Sequence, residues 1–87
     1  MATVFIPALL RKLTVGRDRV IARGRNLRQV IEDLNRQFPG LRESLVQDGE
    51  LKPSIAVSID SEIATEGLLE PVGEESEVHF LPALGGG

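Results

Sequence analysis

Cysteine is absent from this sequence. A domain of 87 residues without cysteine is not stapled by disulfides, and it offers no thiol for redox, metal or nucleophilic chemistry. Histidine occurs once, as His79, so a histidine cluster for a metal is excluded as well. Aromatic residues are scarce: Phe5, Phe38 and Phe80 are the whole set. With a net charge of −3, that scarcity argues against a nucleic-acid partner. No apolar run is long enough to span a membrane, since the run Val4 to Leu10 is short and broken by Pro7. No charged segment precedes it, so neither a signal peptide nor an anchor is expected. The expected location is the cytoplasm. No Gly-rich loop lies between a strand and a helix, so no phosphate loop is present.

What remains is ordinary for one small globular domain: 41% hydrophobic and 26% charged residues, with 9 Gly and 5 Pro. The charge is unevenly spread. Residues 1–43 hold nine Lys or Arg against four acids, and residues 44–87 hold Lys52 against nine acids. Two solvated faces explain this, as does an acidic half that meets a basic partner.

Periodicity orders the elements. Thr3 to Leu10 reads as a strand, Thr14 to Asp18 as a turn and Arg19 to Ala22 as a second strand, which predicts an N-terminal hairpin. Asn26 has the side chain of a helix N-cap. Leu27, Val30, Ile31, Leu34 and Phe38 follow on one helical face, which Pro39-Gly40 ends. Leu41 to Gln47 reads as a short second helix broken by Asp48-Gly49. Ile55, Val57 and Ile59 alternate as a strand, Ile63 continues after a turn, and Glu77 to Leu81 form the last strand. One amphipathic helix needs a sheet to cover its stripe. The order predicts an α+β fold of the β-grasp type, with a mixed four- to five-stranded sheet on one main helix.

The chain then runs Pro82-Ala83-Leu84-Gly85-Gly86-Gly87. Two readings compete. The glycines are slack, as chain ends commonly are. Alternatively the Gly87 carboxylate does the chemistry. In its favour, three glycines make a thread with no Cβ that fits a narrow channel. The carboxylate is ionised at neutral pH. A strand anchored by Val78 and Phe80 would present it, and Pro82, lacking an N–H, would help lift the chain off the sheet. Glu74, Glu75 and Glu77 read as solvating acids and not as a catalytic pair.

The segment Glu77-Val78-His79-Phe80-Leu81-Pro82-Ala83-Leu84-Gly85-Gly86-Gly87 resembles the ending of the ThiS/MoaD family of ubiquitin-like sulfur carriers. Ile6-Pro7, Leu10-Arg11 and Thr14-Val15-Gly16 are similar to the first hairpin of MoaD-like members, and Val72-Gly73-Glu74 stands near the family's Gly-Asp turn. Ser58-Ile59-Asp60 departs from the Val-Asn of many members, which leaves the register of the middle hairpin open.

The resemblance implies a β-grasp domain over residues 1–81 and a tail over 82–87. It implies that an E1-like adenylating/sulfurtransferase enzyme, carrying ATP and magnesium, activates Gly87 behind Gly86. A thiocarboxylate would follow and would donate sulfide to a cysteine synthase-like enzyme or a molybdopterin synthase large subunit. Cysteine and molybdopterin are favoured over thiamine thiazole. The chain itself would bind no cofactor and no metal and would act as a cosubstrate, not an enzyme, and as a monomer when free. His79 and Leu81 alternate with Val78 and Phe80, so they should face the partner enzyme. Pro82, Leu84 and Gly85 would join them in that contact. A protein modifier joined to lysines through Gly87, and a passive interaction module, remain the alternatives.

Overall fold

The computed structural model describes residues 1–83. Strands β1 (Ala2–Phe5) and β2 (Arg19–Ala22) form the first hairpin, and helix α1 (Leu27–Gln37) follows. A short helix α2 (Leu41–Leu45) leads into two small strands, β3 (Val46–Gln47) and β4 (Glu50–Leu51). Then come β5 (Ile55–Ile59), β6 (Glu62–Ile63) and β7 (Glu77–Pro82). The main sheet has five strands in the order β2-β1-β7-β5-β6. Its central pair, β1 and β7, runs parallel, and its other pairs are antiparallel. This is the expected β-grasp.

Helix α1 forms where its residues predict. The Asn26 side chain accepts a bond from the Gln29 N–H at 2.9 Å, satisfying one of the free donors of the first turn. Leu27, Val30, Ile31 and Leu34 are buried against Val4, Val20, Val57, Val78 and Phe80 of the sheet. Phe38 caps the helix and is only partly buried. Two side chains of α1 reach over the edge strand: Gln37 Nε2 donates to the Ile21 carbonyl, and the Asp33 carboxylate accepts from the Arg23 N–H. They occupy backbone groups of an edge that would otherwise invite pairing with another chain.

Three local expectations are corrected. The first strand stops at Phe5, not Leu10. Pro7 starts a run of 3-10 helix, Ala8–Thr14, which places Leu10 and Leu13 three apart against the core. The second helix ends at Leu45, and Val46–Gln47 is a strand. Asp48 and Gly49 both have positive φ, 54° and 79°, so they do not merely break the helix. They form a two-residue hairpin turn of the kind Asp-Gly favours.

Pro82 does not lift the chain from the sheet either. It pairs with Ile55, and the next N–H, of Ala83, donates to the Ser54 carbonyl at 3.0 Å. In an antiparallel ladder hydrogen-bonded pairs alternate with open ones. Ala83 and Ser54 are a bonded pair, so Pro82 and Ile55 are an open one. The N–H that Pro82 lacks would face away from β5, toward the side where β1 has ended at Phe5, opposite His79. The segment expected as a tail from residue 82 therefore lies on the sheet through Ala83.

The middle hairpin closes on Asp60-Ser61, with φ of 51° and 73° and Ile59 opposite Glu62. This is again a two-residue turn, and it resolves the register that the departure from Val-Asn left open.

Candidate functional site

The alternation along β7 divides it cleanly. Val78 and Phe80 are buried in the core. His79 is half-buried on the opposite face, and Leu81 is 39% exposed there. Both lie on the sheet face away from the core, as the alternation predicts.

The pairing register surrounds His79 with residues from three strands. It lies opposite Phe5 of β1 and Ser58 of β5, and Phe5 in turn lies opposite Arg19 of β2. The His79 and Phe5 rings stack with centroids 4.1 Å apart and planes within 5°. The Arg19 guanidinium carbon sits 5.9 Å from the Phe5 ring centre, within cation–π range. Arg11 Nε donates to the Ile6 carbonyl at 3.1 Å, holding a second guanidinium at the same place. Together these side chains line a depression of about 420 Å³. Glu77 lies beside His79, with Nε2 and Oε1 3.8 Å apart. Leu81 continues the face opposite Ala56. The face therefore offers a stacked aromatic pair rimmed by two arginines and by the acids Asp18 and Glu77.

Neither Phe5 nor Arg19 was among the expected site residues. Their alternation along β1 and β2 was readable, but their meeting with His79 depends on the parallel register, which no local pattern encodes.

The start of β7 is tied to the body by Asp60. Its carboxylate accepts from the Glu77 N–H at 2.9 Å and from the Ser76 hydroxyl at 2.7 Å. These two bonds, the Glu77 N–H foremost, hold its carboxyl below the usual carboxylate range. Ser76 Oγ also accepts from the Gly73 N–H at 2.8 Å.

At the other end of β7, Pro7, Leu9, Ile55, Leu81 and Pro82 line an apolar cleft of about 330 Å³, with Lys52 at its wall. Leu9 is 87% exposed. The expected residues Leu84, Gly85, Gly86 and Gly87 lie outside the described residues. Among the described residues, no group of three or more acidic or histidine side chains could hold a metal. No helix there is long and apolar enough to cross a membrane.

Comparison with known proteins adds the family. Residues 4–87 match the model of the ThiS family. The sulfur carrier protein CysO of Mycobacterium tuberculosis is 33% identical over 90 residues, covering 98% of this chain and 97% of that protein. The CysO of Mycobacterium bovis matches to the same extent. Among solved structures, the BexX/CysO complex of Amycolatopsis orientalis superposes with a TM-score of 0.92 at 31% identity, covering 100% of both chains. The small archaeal modifier protein SAMP1 of Haloferax volcanii follows with a TM-score of 0.73 at 26% identity, over 99% of this chain and 98% of that one. A family match over nearly the whole chain thus joins the β-grasp sheet and its outward-facing last strand, and the chain belongs to the ThiS family.

Proposed function

We propose that this protein is a small sulfur carrier. A partner enzyme of the E1-like type, holding ATP and magnesium, adenylates the Gly87 carboxylate. Sulfur then displaces the adenylate to give a C-terminal thiocarboxylate. A second, cysteine synthase-like enzyme takes sulfide from it, so that the product is cysteine. Molybdopterin is the next candidate product, with the large subunit of its synthase as the acceptor. The chain acts as a cosubstrate, binds no cofactor itself and is free as a monomer in the cytoplasm.

The observation that carries this reading is the end-to-end match to proteins named sulfur carrier CysO. Two features support it. With no cysteine in the sequence, sulfur has no side chain to ride on. The exposed face of β7, with His79 stacked on Phe5 and Leu81 beyond, is a surface an activating enzyme can hold while Pro82, Leu84, Gly85 and Gly86 thread toward its active site. The solved complex of the Amycolatopsis CysO supports a partner enzyme for this fold. The likeness to an archaeal modifier favours one second reading, in which Gly87 is joined to lysines of other proteins.

One experiment separates the readings. The native chain is incubated with its activating enzyme, ATP and a sulfide source, and intact mass is recorded. The expected result is replacement of one oxygen by sulfur at Gly87. Isopeptide-linked ladders on other proteins would favour the modifier reading instead. Deleting Gly87 should abolish either product without changing the thermal melt, because chemistry that depends on placement does not tolerate a one-residue shift.

A further inference from the structure

Two side chains are more exposed than any other large apolar residue among the described ones: Leu9 at 87% and Val15 at 84%. Both belong to the connection between β1 and β2. Because β1 runs parallel to β7 and ends opposite His79, that connection sits at the end of the sheet where β7 leaves. A 3-10 helix has three residues per turn, so side chains three apart share a face. Leu10 and Leu13 pack on the core, and Leu9 and Lys12 fall on the next face, exposed. Leu9 also lines the cleft that Leu81 and Pro82 line.

Val15 ends the 3-10 run in the left-handed region, with φ 56° and ψ 38°. Glycine and asparagine accept that conformation, whereas a β-branched side chain there crowds its own backbone. The neighbouring bonds fix the turn around it. The Gly16 N–H donates to the Arg11 carbonyl at 2.7 Å, and the Arg17 N–H to the Thr14 carbonyl at 3.1 Å. The Thr14 hydroxyl, on a fully buried residue, donates to the Arg17 carbonyl at 2.8 Å. The valine therefore costs stability where it stands, and its exposed side chain offsets little of that by packing on the described fold.

The charge of the same connection sets it apart. Residues 8–19 carry four cations, Arg11, Lys12, Arg17 and Arg19, against the one acid Asp18, a net of +3 in a chain of net −3. Among the described residues none of these cations forms an ion pair. The connection thus presents two apolar side chains among basic ones, and through Leu9 it is continuous with the face of Leu81 and Pro82.

We propose that this connection is a second docking element of the carrier, seating Leu9 and Val15 on an apolar patch with acidic surroundings on the activating enzyme. The inference rests on the carrier reading, in which such an enzyme grips the exit of β7. An enzyme that holds Leu81 and Pro82 meets Leu9 across the same cleft. Its acids pair with Lys12 and Arg17, and burial of the Val15 methyls in the complex offsets what the left-handed backbone costs the free chain. A bilayer fits less well: two apolar side chains bury little, and the net charge of −3 opposes an anionic surface.

The test reads stability and docking on the same variants. Initial rates of pyrophosphate release by the enzyme that adenylates the native chain are recorded against carrier concentration, beside a thermal melt of each carrier. Val15→Gly removes the strain and the contact together. It should melt higher than the native chain by about 2 °C or more. It should also raise KM about five-fold or more with kcat unchanged. Val15→Asn should do the same. Lys12→Glu combined with Arg17→Glu should raise KM at low salt, by a factor that shrinks as salt is added. A native KM in both Val15 variants overturns the assignment. A lower melt in both also overturns it, because Val15 would then support the fold. Self-association in sedimentation, or binding to anionic vesicles, that Val15→Asn abolishes while KM stays native would assign the surface to a second copy or a membrane and overturn it too. Failure of the carrier reading looks different: the native chain itself then gives no pyrophosphate, and this proposal falls with it.

Discussion

The two ends of β7 are built differently. At its start, Asp60 binds both the Ser76 hydroxyl and the Glu77 N–H, the Asp60 N–H donates to the Glu77 carbonyl, and the Thr3 N–H donates to the Ser76 carbonyl. Ser76 itself is 5% exposed. At its far end, one backbone bond from Ala83 to Ser54 remains, β1 has already left, and the flanking side chains are apolar and open to solvent. One strand is thus clamped where the chain enters the sheet and held along one side only where it leaves. The difference teaches how a small domain can fix the start of its last strand while holding the far end lightly. The polar network fixes the start of the strand, the core residues Val78 and Phe80 keep it in register, and among the described residues the exit carries the single backbone bond from Ala83 to Ser54.

The largest effect expected from disturbing this contrast is on binding. Leu81→Asp places a charge in the apolar exit face and should weaken association with the proposed activating enzyme by about 2 kcal/mol or more, while the melting temperature stays close to that of the native chain. Isothermal titration beside a thermal melt checks both halves. A collapsed melt would mean that Leu81 supports the core.

Ser76→Ala acts at the clamped end. It removes the acceptor of the Gly73 N–H and the donor to Asp60, so it should cost about 1–3 kcal/mol in denaturant unfolding.

Asp60→Asn tests the charge in the same clamp. The native Asp60 carboxyl is held below its ordinary value, first by the Glu77 N–H and then by the Ser76 hydroxyl. A depressed value in the folded state means stability that is present above the unfolded value, about 3.9, and is lost as pH falls through the folded value. The native chain should therefore melt higher than the variant at neutral pH. The gap should narrow as pH drops below about 4. A gap that does not change with pH would remove the carboxylate charge as the cause.

The smallest effect is reserved for the exit. Ala83→Pro deletes the last ladder bond and should cost only about 0.5–1.5 kcal/mol by the same unfolding assay. A loss as large as that of Ser76→Ala would make the two ends equal and break the comparison.

Much of this was written in local sequence. The stripe of Leu27, Val30, Ile31 and Leu34 follows a 3.6-residue period, the Asn26 cap sits one position ahead of it, and the alternation of Val78, His79, Phe80 and Leu81 sorts itself onto two faces. Such patterns are legible because each depends on the geometry of a single helix or strand. The short hairpin around Asp48-Gly49 was not legible in the same way, because Leu41 and Leu45 at helical spacing make Asp-Gly read as the end of a helix.

What the sequence by itself determined was therefore the identity and inner face of each long element, together with the family likeness of the last strand. Only the tertiary structure decided which side chains from different elements meet. The stacking of Phe5 on His79, the guanidinium of Arg19 beside them, the clamp of Asp60 on Ser76 and the place of Lys52 in the cleft beside Leu81 and Pro82 all follow from strand order and register. Those are set by many distant contacts made at once. A shift of one residue in the pairing would leave every local pattern intact and separate all of these groups.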